Sequence, residues 1–138
     1  MTQSDKTIAI ARSFLDLMED RRMEDARALL APDFLGIYPG NLRFTTLEDL
    51  VASGRRRYQG VRKQHDRTLY VPADADGVET VIFYGTLTGT WADGDTFEGI
   101  RFTDRFRLKD GRILEQQVWN DMGEILLARA GAATALVK

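Results

Sequence analysis

The residues best able to do chemistry in this sequence are carboxylates placed among aromatic side chains. Asp104 alternates with Phe102 and Phe106 in the segment RFTDRFR, so one face of a strand would carry all three. A carboxyl group among aromatic rings is poorly hydrated, which raises its pKa and lets it donate a proton at neutral pH. Asp104 is therefore the first candidate catalytic residue, and the alternative is a structural carboxylate bonded to a helix-end amide or a buried arginine.

Three other residues could assist Asp104. Asp121 follows Trp119 by two positions and could act as a base if both side chains face inward, or it could lie exposed in a turn. Tyr38 is a poor base near neutral pH but a good donor to a developing oxyanion, and the alternative is packing beside Pro39. His65 is the only side chain whose ordinary pKa lies near neutrality, although a lone histidine is more often a core residue.

The direction in which His65 points depends on the loop around the Asp76–Gly77 pair. A two-residue turn there would direct Asp66 inward, whereas a three-residue turn would direct His65 inward. The sequence leaves both alternatives open.

The residue inventory limits the chemistry. The chain has no cysteine, which excludes disulfides, iron–sulfur clusters, thiol nucleophiles and cysteine-based zinc sites. A single histidine excludes multi-histidine zinc sites. We therefore expect no metal and no cofactor, and any catalysis must rest on carboxylates, tyrosines, arginines and His65.

Charge and hydropathy favour a small globular enzyme or binding protein. The 138 residues are 43% hydrophobic, and 19 basic against 21 acidic residues give a net charge of −2, so we expect no nucleic-acid partner. We find no apolar run of 18 residues and no secretory leader, so we expect a cytoplasmic chain with no membrane partner, forming one domain over residues 1–138. A basic cluster over residues 55–67 could meet an anionic ligand, but a solvated face or a dimer contact is the simpler interpretation.

Helical patterns dominate the first half of the chain. Apolar residues at three- and four-residue spacing predict an amphipathic helix over about residues 5–19. A second, shorter helix opens at Met23, continues through Leu30 and ends before Pro32. A short strand is predicted over residues 34–38, and Thr45 with Glu48 forms a capping box that predicts a third helix over about residues 46–57.

The second half is rich in strands joined by tight turns. Asp-Gly pairs at residues 76–77, 93–94 and 110–111 separate alternating segments, which is typical of β-hairpins, and we predict three long strands from Val61 onward. A turn at residues 93–94 pairs Phe83 with Asp104 and collects nearly all the apolar residues of both strands on one face. The segment after Gly123 is apolar enough to dock, for example as a short helix.

The last hairpin has two possible registers. A four-residue connection over residues 109–112 directs Gln117 and Trp119 inward, with Gln117 beside Asp104. A strict two-residue turn directs the other parity, including Val118, inward. We favour the first register because it buries Trp119 beside Phe102.

Four segments of the sequence carry a resemblance to a known family. They are GTLTG at 85–89, RFTDRFR at 101–107, DGRI at 110–113 and VWND at 118–121. With the helices that precede them, they resemble the nuclear-transport-factor-2-like superfamily, in particular its SnoaL-like branch of polyketide cyclases, over about residues 5–125. The resemblance implies an α+β cone fold, in which N-terminal helices pack in the concave face of a curved, mixed or antiparallel sheet. It also implies a pocket at the open end and a homodimer through the outer face of the sheet.

The similarity to ketosteroid isomerases can be carried over position by position. Their protonated oxyanion-hole aspartate falls on Asp104, but their oxyanion-hole tyrosine falls on Phe14. Their general-base aspartate falls on Tyr38, just before Pro39. Since this sequence keeps only one of these three ketosteroid isomerase residues, the oxyanion-hole aspartate, we do not expect steroid isomerisation by that mechanism. The arginine–aspartate pair of limonene-epoxide-hydrolase-like members is also missing, because Phe102 stands two residues before Asp104.

These observations favour a small-molecule enzyme that uses acid–base chemistry on an apolar cyclic or polyketide-like metabolite, as an isomerase, cyclase or dehydratase. In this hypothesis Asp104 is the acid or oxyanion donor, Asp121 is the base, and Tyr38 or His65 assists. The predicted walls of the substrate pocket are Phe14, Tyr58, Phe83, Trp91, Phe102, Gln117 and Trp119. The alternative is a non-catalytic ligand-binding protein or dimeric scaffold of the same fold.

Overall fold

The computed structural model describes residues 1–131, which form helices packed against one six-stranded sheet. The helices are α1 (Gln3–Glu19), α2 (Met23–Arg27), α3 (Leu47–Gly54) and α4 (Met122–Arg129). The strands are β1 (Leu30–Tyr38), β2 (Leu42–Phe44), β3 (Tyr58–Val71), β4 (Glu79–Trp91), β5 (Thr96–Lys109) and β6 (Arg112–Asn120). The α+β class is confirmed. Of the segment after Gly123, α4 confirms the predicted short helix, and residues 132–138 lie outside the described residues.

The sheet is curved, open and mixed. Its strand order is β2-β1-β6-β5-β4-β3, and β1 runs parallel to β6 while the other neighbours are antiparallel. Helix α1 buries Phe14 and Leu15 against the inner face, where the ring of Phe14 meets Phe106 edge-on with 5.9 Å between centroids. The expected packing of the N-terminal helices in the concave face is therefore confirmed. No helix within residues 1–131 is long and apolar enough to cross a membrane.

The first half differs from the predicted boundaries in three places. Helix α2 ends at Arg27, and Leu30 already begins β1, whose pairing with β6 is irregular across Pro32 because proline lacks the amide N–H that a regular ladder requires. Helix α3 is capped one residue later than predicted, by Thr46, whose side chain accepts from the amide of Asp49 at 3.2 Å. The short edge strand β2 has no clear signal in the sequence.

The β4–β5 pairing confirms the register predicted from the turn at residues 93–94. Phe83 lies opposite Asp104, as expected. Closer to the turn the pairing shifts by one residue, because Gly99 adopts φ +71° and forms a bulge that other residue types would adopt only with strain. The three turns join four strands, β3 to β6, so the prediction of three was one short.

A second bulge decides which residues of β6 face the interior. Ile113 pairs with Leu108, as in the register we favoured, but the next pair is Glu115 with Arg107, so Leu114 is an extra residue in β6. Beyond the bulge the parity is reversed: Val118 is buried and Trp119 is 51% exposed on the outer face. The predicted inward orientation of Gln117 and Trp119 is therefore wrong. Ile113 and Val118 are an odd number of residues apart, and the bulge between them lets both face the interior, which turns Gln117 and Trp119 outward.

A third bulge answers the question left open for His65. His65 lies opposite Gly85 and Arg67 lies opposite Tyr84, so Asp66 is the extra residue. His65 therefore faces the interior on one side of the bulge, and Tyr70 faces it on the other. Gly85 is required at this point, since a Cβ there would lie 1.9 Å from the backbone oxygen of Gln64.

A buried carboxylate anchors the start of α1 to the sheet. Glu79 is 6% exposed, and its Oε1 accepts from the hydroxyls of Thr7 at 2.6 Å and Tyr70 at 2.7 Å and from the amide of Gln3 at 3.2 Å. Burial raises the pKa of Glu79, but these three donors outweigh it and the pKa is lowered overall. The charged carboxylate is thus the stable form in the folded protein.

We expect Glu79→Gln to lower the free energy of unfolding at pH 7 by about 1–3 kcal/mol, because the substitution leaves buried hydroxyl donors poorly matched. Since the pKa is lower in the folded state, the contribution of Glu79 is complete above its unfolded pKa and is lost as the pH falls through its folded pKa. Urea denaturation of both proteins at pH 7 and in acid measures this. The exposed Glu98→Gln is the control, and equal stabilities of the Glu79 variant and the wild type would contradict the assignment.

Candidate functional site

One cavity opens between the end of α1, helix α3 and the inner face of the sheet. The space inside it that is open to the centre of a water molecule is about 100 Å³, and the whole empty space, which includes solvent at its mouth, is about 870 Å³. Its walls are mainly apolar, with Phe14, Met18, Val51, Leu87, Phe102 and Val118 among them, and its partly exposed rim includes Arg21, Pro39, Arg57 and Tyr58. Such a concave, mostly apolar space with a few polar groups is typical of small-molecule sites.

Lys63 and Asp104 form a buried ion pair beside this cavity. The Nζ of Lys63 donates to Oδ2 of Asp104 at 2.7 Å and lies 5.2 Å from the ring centre of Phe102. Asp104 is fully buried and does not line the cavity, whereas Lys63 does. Lys63, and not Asp104, is the member of the pair that lines the cavity, and Oδ1 of Asp104 is buried without a partner within residues 1–131. The predicted catalytic role of Asp104 therefore stays a prediction.

A second polar pair, Tyr38 and Gln116, also lines the cavity. The hydroxyl of Tyr38 donates to Oε1 of Gln116 at 3.0 Å, and the fully buried Gln116 has an Nε2 with no partner within residues 1–131. Burial, followed by the charge of Asp104, raises the pKa of Tyr38 well above its usual value. Tyr38 is therefore a neutral donor that fixes the amide of Gln116, whose buried Nε2 is left without a partner among the described residues.

Glu19, the last residue of α1, contributes a carboxylate to the same cavity. Burial raises the pKa of Glu19, and this is only partly opposed by the backbone amide and the charge of Lys63. A carboxylate with a raised pKa in a largely apolar cavity is suited to accept and return a proton. The sequence did not single out Glu19, because a glutamate at a helix end is normally a solvated residue.

His65 lies outside the cavity, behind Phe102. Its ring meets Phe83 edge-on at 5.1 Å and Phe102 at 5.7 Å between centroids. Both ring nitrogens are buried without a partner within residues 1–131, and burial lowers the pKa of His65. Its imidazole is therefore neutral near pH 7 and packs as part of the aromatic core.

Most of the remaining predicted site residues do not line the cavity. Asp121 lies at the end of β6, where it accepts from Arg101 at 2.5 Å in an exposed ion pair, and so it does not meet Asp104 as a paired base. Phe83 and Trp91 are core residues, and Trp91 is covered by Phe97 and Arg129. Of the seven predicted wall residues, Phe14, Tyr58 and Phe102 line the cavity.

The groups that do converge can bind an oxygen atom and move a proton. Lys63 and Gln116 supply hydrogen-bond donors, and Glu19 supplies a carboxylate, all on the wall of one apolar cavity. In the described part of the chain, no three histidine, aspartate or glutamate side chains are grouped as ligands for a metal ion.

Comparison with protein families decides the relationship of the chain. The family model described as SnoaL-like domain matches residues 11–116, well over half of the chain. The chain belongs to the SnoaL-like family. A comparison with curated proteins finds no match for this SnoaL-like domain.

Solved structures share the fold of this SnoaL-like domain at low sequence identity. An NTF2-like protein of unknown function from Burkholderia pseudomallei is 16% identical with a TM-score of 0.74, over 91% of this chain and 96% of that one. A candidate SnoaL-like polyketide cyclase from Jannaschia is 16% identical with a TM-score of 0.74, over 97% of both chains. AclR, a candidate hydroxylase from Streptomyces galilaeus, is 15% identical with a TM-score of 0.74, over 99% of this chain and 91% of that one.

We expect Lys63→Met to lower the free energy of unfolding by about 3–5 kcal/mol, because it leaves the Asp104 carboxylate buried without a counter-charge. The double variant Lys63→Met with Asp104→Leu should recover much of this loss, since no buried charge then remains. Chemical denaturation of both variants measures the coupling.

The matched control is the exposed pair of Arg101 and Asp121, where Arg101→Met should leave the stability unchanged. A Lys63→Met protein as stable as this control would show that the carboxylate does not depend on the ammonium group.

Proposed function

We propose that this SnoaL-like domain is an acid–base enzyme that acts on an apolar cyclic or polyketide-like metabolite by isomerisation, cyclisation or dehydration. The observation that carries the proposal is the cavity wall, where Lys63, Gln116 and Glu19 interrupt an otherwise mainly apolar lining. These reactions share a step in which a proton leaves a carbon beside a carbonyl group and negative charge develops on the carbonyl oxygen. A donor set for the oxygen and a carboxylate for the proton are what that step requires.

The oxygen of the substrate would be held by Lys63 and Gln116. The ammonium of Lys63 has three N–H donors and uses one on Asp104, and the amide of Gln116 has an unpartnered Nε2. A buried donor without a partner costs about 1–3 kcal/mol, so a ligand oxygen that accepts from Gln116 is favoured. The ammonium group of Lys63 attracts the negative oxygen of the transition state more strongly than it attracts the neutral carbonyl oxygen of the substrate. This difference stabilises the transition state relative to the bound substrate.

Glu19 would move the proton. Its carboxylate takes a proton from the carbon next to the carbonyl group, the C–H electron pair forms a carbon–carbon double bond, and the carbonyl π pair moves onto the oxygen. In an isomerisation the Glu19 carboxyl then returns the proton to another carbon of the same system. Burial raises the pKa of Glu19 towards the working pH, and a group whose pKa lies near that pH can both accept and donate a proton.

In this mechanism Asp104 positions Lys63. Its buried carboxylate fixes the ammonium at one point of the cavity wall, over Phe102, and Tyr38 fixes the amide of Gln116 in the same way. The names of two structural neighbours, a candidate polyketide cyclase and a candidate hydroxylase, support an enzyme of small-molecule metabolism. At 15–16% identity they share the fold with this chain, and the substrate class is our proposal.

A second candidate function is a binding protein without catalysis. One observation favours it: Asp104, the single role kept from the ketosteroid isomerases, is sealed behind Lys63. In that case Lys63 and Gln116 hold a ligand oxygen, and Glu19 has no part in a reaction. Variants of Glu19 therefore separate the two functions.

The bicyclic ketone 2-tetralone is a suitable probe, because it has an apolar ring and exchangeable protons beside its carbonyl group. We expect the wild type to accelerate exchange of these protons with deuterium in D₂O, measured by NMR. Glu19→Gln should lower the protein-dependent rate by about 10²–10⁴-fold, because the base is removed, while the Kd for 2-tetralone changes little. Circular dichroism checks that the variant is folded.

Two further observations belong to this test. The control Glu98→Gln should keep the wild-type rate, and the wild-type rate should fall on the acid side with a midpoint above about 4.3, the ordinary pKa of glutamate. If 2-tetralone binds and its protons exchange no faster than in buffer, the chain is a binding protein.

We also propose that the chain forms a homodimer through the outer face of the sheet. Tyr84 and Trp119 remain 39% and 51% exposed there, which is unusual for side chains of this size. The same face carries both signs of charge, in the pairs Arg101 with Asp121 and Arg105 with Glu115. A two-fold interface places one surface against itself, so a face of mixed charge with exposed aromatic rings is self-complementary.

We expect Trp119→Glu to shift the protein from dimer to monomer in sedimentation velocity, because it places two carboxylates near the two-fold axis in place of two indole rings. Leu127→Glu is the control, since Leu127 is 49% exposed and belongs to α4 rather than to the sheet. A wild type that is monomeric at every soluble concentration would overturn the dimer.

A further inference from the structure

The charge of the cavity is opposite to that of the chain. The cavity is lined by three cations, Arg21, Arg57 and Lys63, and by a single carboxylate, Glu19. Even when the buried Asp104 is counted against Lys63, one positive charge remains, although the chain as a whole carries −2. A positive cleft in a negative protein concentrates anions near its mouth.

Neither Arg21 nor Arg57 makes an ion pair within residues 1–131, but the exposed Arg21 donates to the backbone oxygen of Met18, so Arg57 is the cavity cation whose guanidinium has no partner. It lies in the turn between α3 and β3, where its amide donates to Gly54 at 2.9 Å and its carbonyl accepts from Ala92 at 3.0 Å, so its backbone is fixed on both sides. Its half-buried side chain makes no hydrogen bond or ion pair with any side chain in residues 1–131. Lys63, by comparison, is held by Asp104.

The carboxylates of the neighbouring β4–β5 turn are already occupied. Arg129 donates to Asp93 at 2.8 Å and to Asp95 at 3.0 Å, while its guanidinium lies 4.9 Å from the ring centre of Trp91. This turn donates a hydrogen bond to the carbonyl oxygen of Arg57 from the backbone amide of Ala92. The guanidinium of Arg129 is therefore paired with carboxylates of the protein, whereas the guanidinium of Arg57 is unpaired within residues 1–131 and lies at the rim of the cavity.

We infer that the ligand of this cavity carries a carboxylate, which pairs with Arg57 at the rim while the oxygen of its ring system binds Lys63 and Gln116. A guanidinium group binds a carboxylate through two parallel N–H donors, and these bonds are stronger than those between neutral groups. The substrate class is thus an apolar ring that bears an acid group at the end nearest the solvent. This inference rests on the cavity of the proposed function and specifies its ligand further.

Two probes of nearly equal shape test the inference by isothermal titration calorimetry. Naphthalene-2-carboxylate is anionic, and naphthalene-2-carboxamide is neutral. We expect the wild type to bind the carboxylate about 10-fold or more tightly than the carboxamide, and Arg57→Gln to abolish this preference. Arg57→Lys should restore part of it, because the charge returns without the paired donors.

Arg56→Gln is the matched control, since Arg56 is an exposed neighbour that does not line the cavity. It should keep the wild-type preference. Equal affinities of the wild type for the two probes, or no detectable binding of either, would overturn the inference. A preference that survives Arg57→Gln would also overturn it, because the acid group would then be bound elsewhere in the cavity.

The outcome is separate from that of the proposed function. A carboxylate preference that depends on Arg57, together with no exchange of 2-tetralone protons, would leave the ligand class intact and remove the catalysis. Exchange that depends on Glu19, with no carboxylate preference, would keep the enzyme and remove the acid group from its substrate.

Discussion

The candidate site depends on one ion pair, between Lys63 and Asp104. A fully buried carboxylate is tolerated only when a partner compensates the loss of hydration, and here the partner is an ammonium group from another strand. The pair therefore restrains the end of a long, flexible side chain that would otherwise move in solvent. Because Lys63 lines the cavity, its ion pair with Asp104 also places a positive charge where a ligand would lie.

Helix α1 links this pair to the rest of the fold. Its first two turns are tied to Glu79 through Gln3 and Thr7, and its middle buries Phe14 in the aromatic core. Its last residue, Glu19, reaches the cavity. The carboxylate proposed to move protons is thus the end of a rigid rod whose other end is anchored in the sheet. A helix held in this way positions a side chain better than a loop would.

The sequence predicts the fold well because helices and hairpins follow from local patterns, namely the spacing of apolar residues and the position of Asp-Gly turns. The spacing of apolar residues predicts α1, and the Asp-Gly turn at residues 93–94 predicts that Phe83 lies opposite Asp104. The site is predicted less well, because its composition depends on bulges. The extra residue Leu114 reverses the parity of β6, which removes Trp119 from the cavity and admits Gln116.

Other site residues are hidden for a different reason. Lys63 stands in a run of basic residues, and Glu19 stands at a helix end beside Asp20, so each has the surroundings of an ordinary solvated residue. What distinguishes them is a partner distant in sequence. The Asp104 that selects Lys63 lies on another strand 41 positions away, and no local pattern encodes that contact.

The bulge at Leu114 also has an evolutionary consequence. Removing Leu114 would restore strict alternation but leave the later pairs as they are, with Glu115 opposite Arg107 and Val118 opposite Asp104. Val118 would still face the cavity, and Trp119 would still face outward. A SnoaL-like scaffold can in this way gain or lose one residue in β6 while both faces of the strand keep their side chains, because the bulge takes up the difference in length.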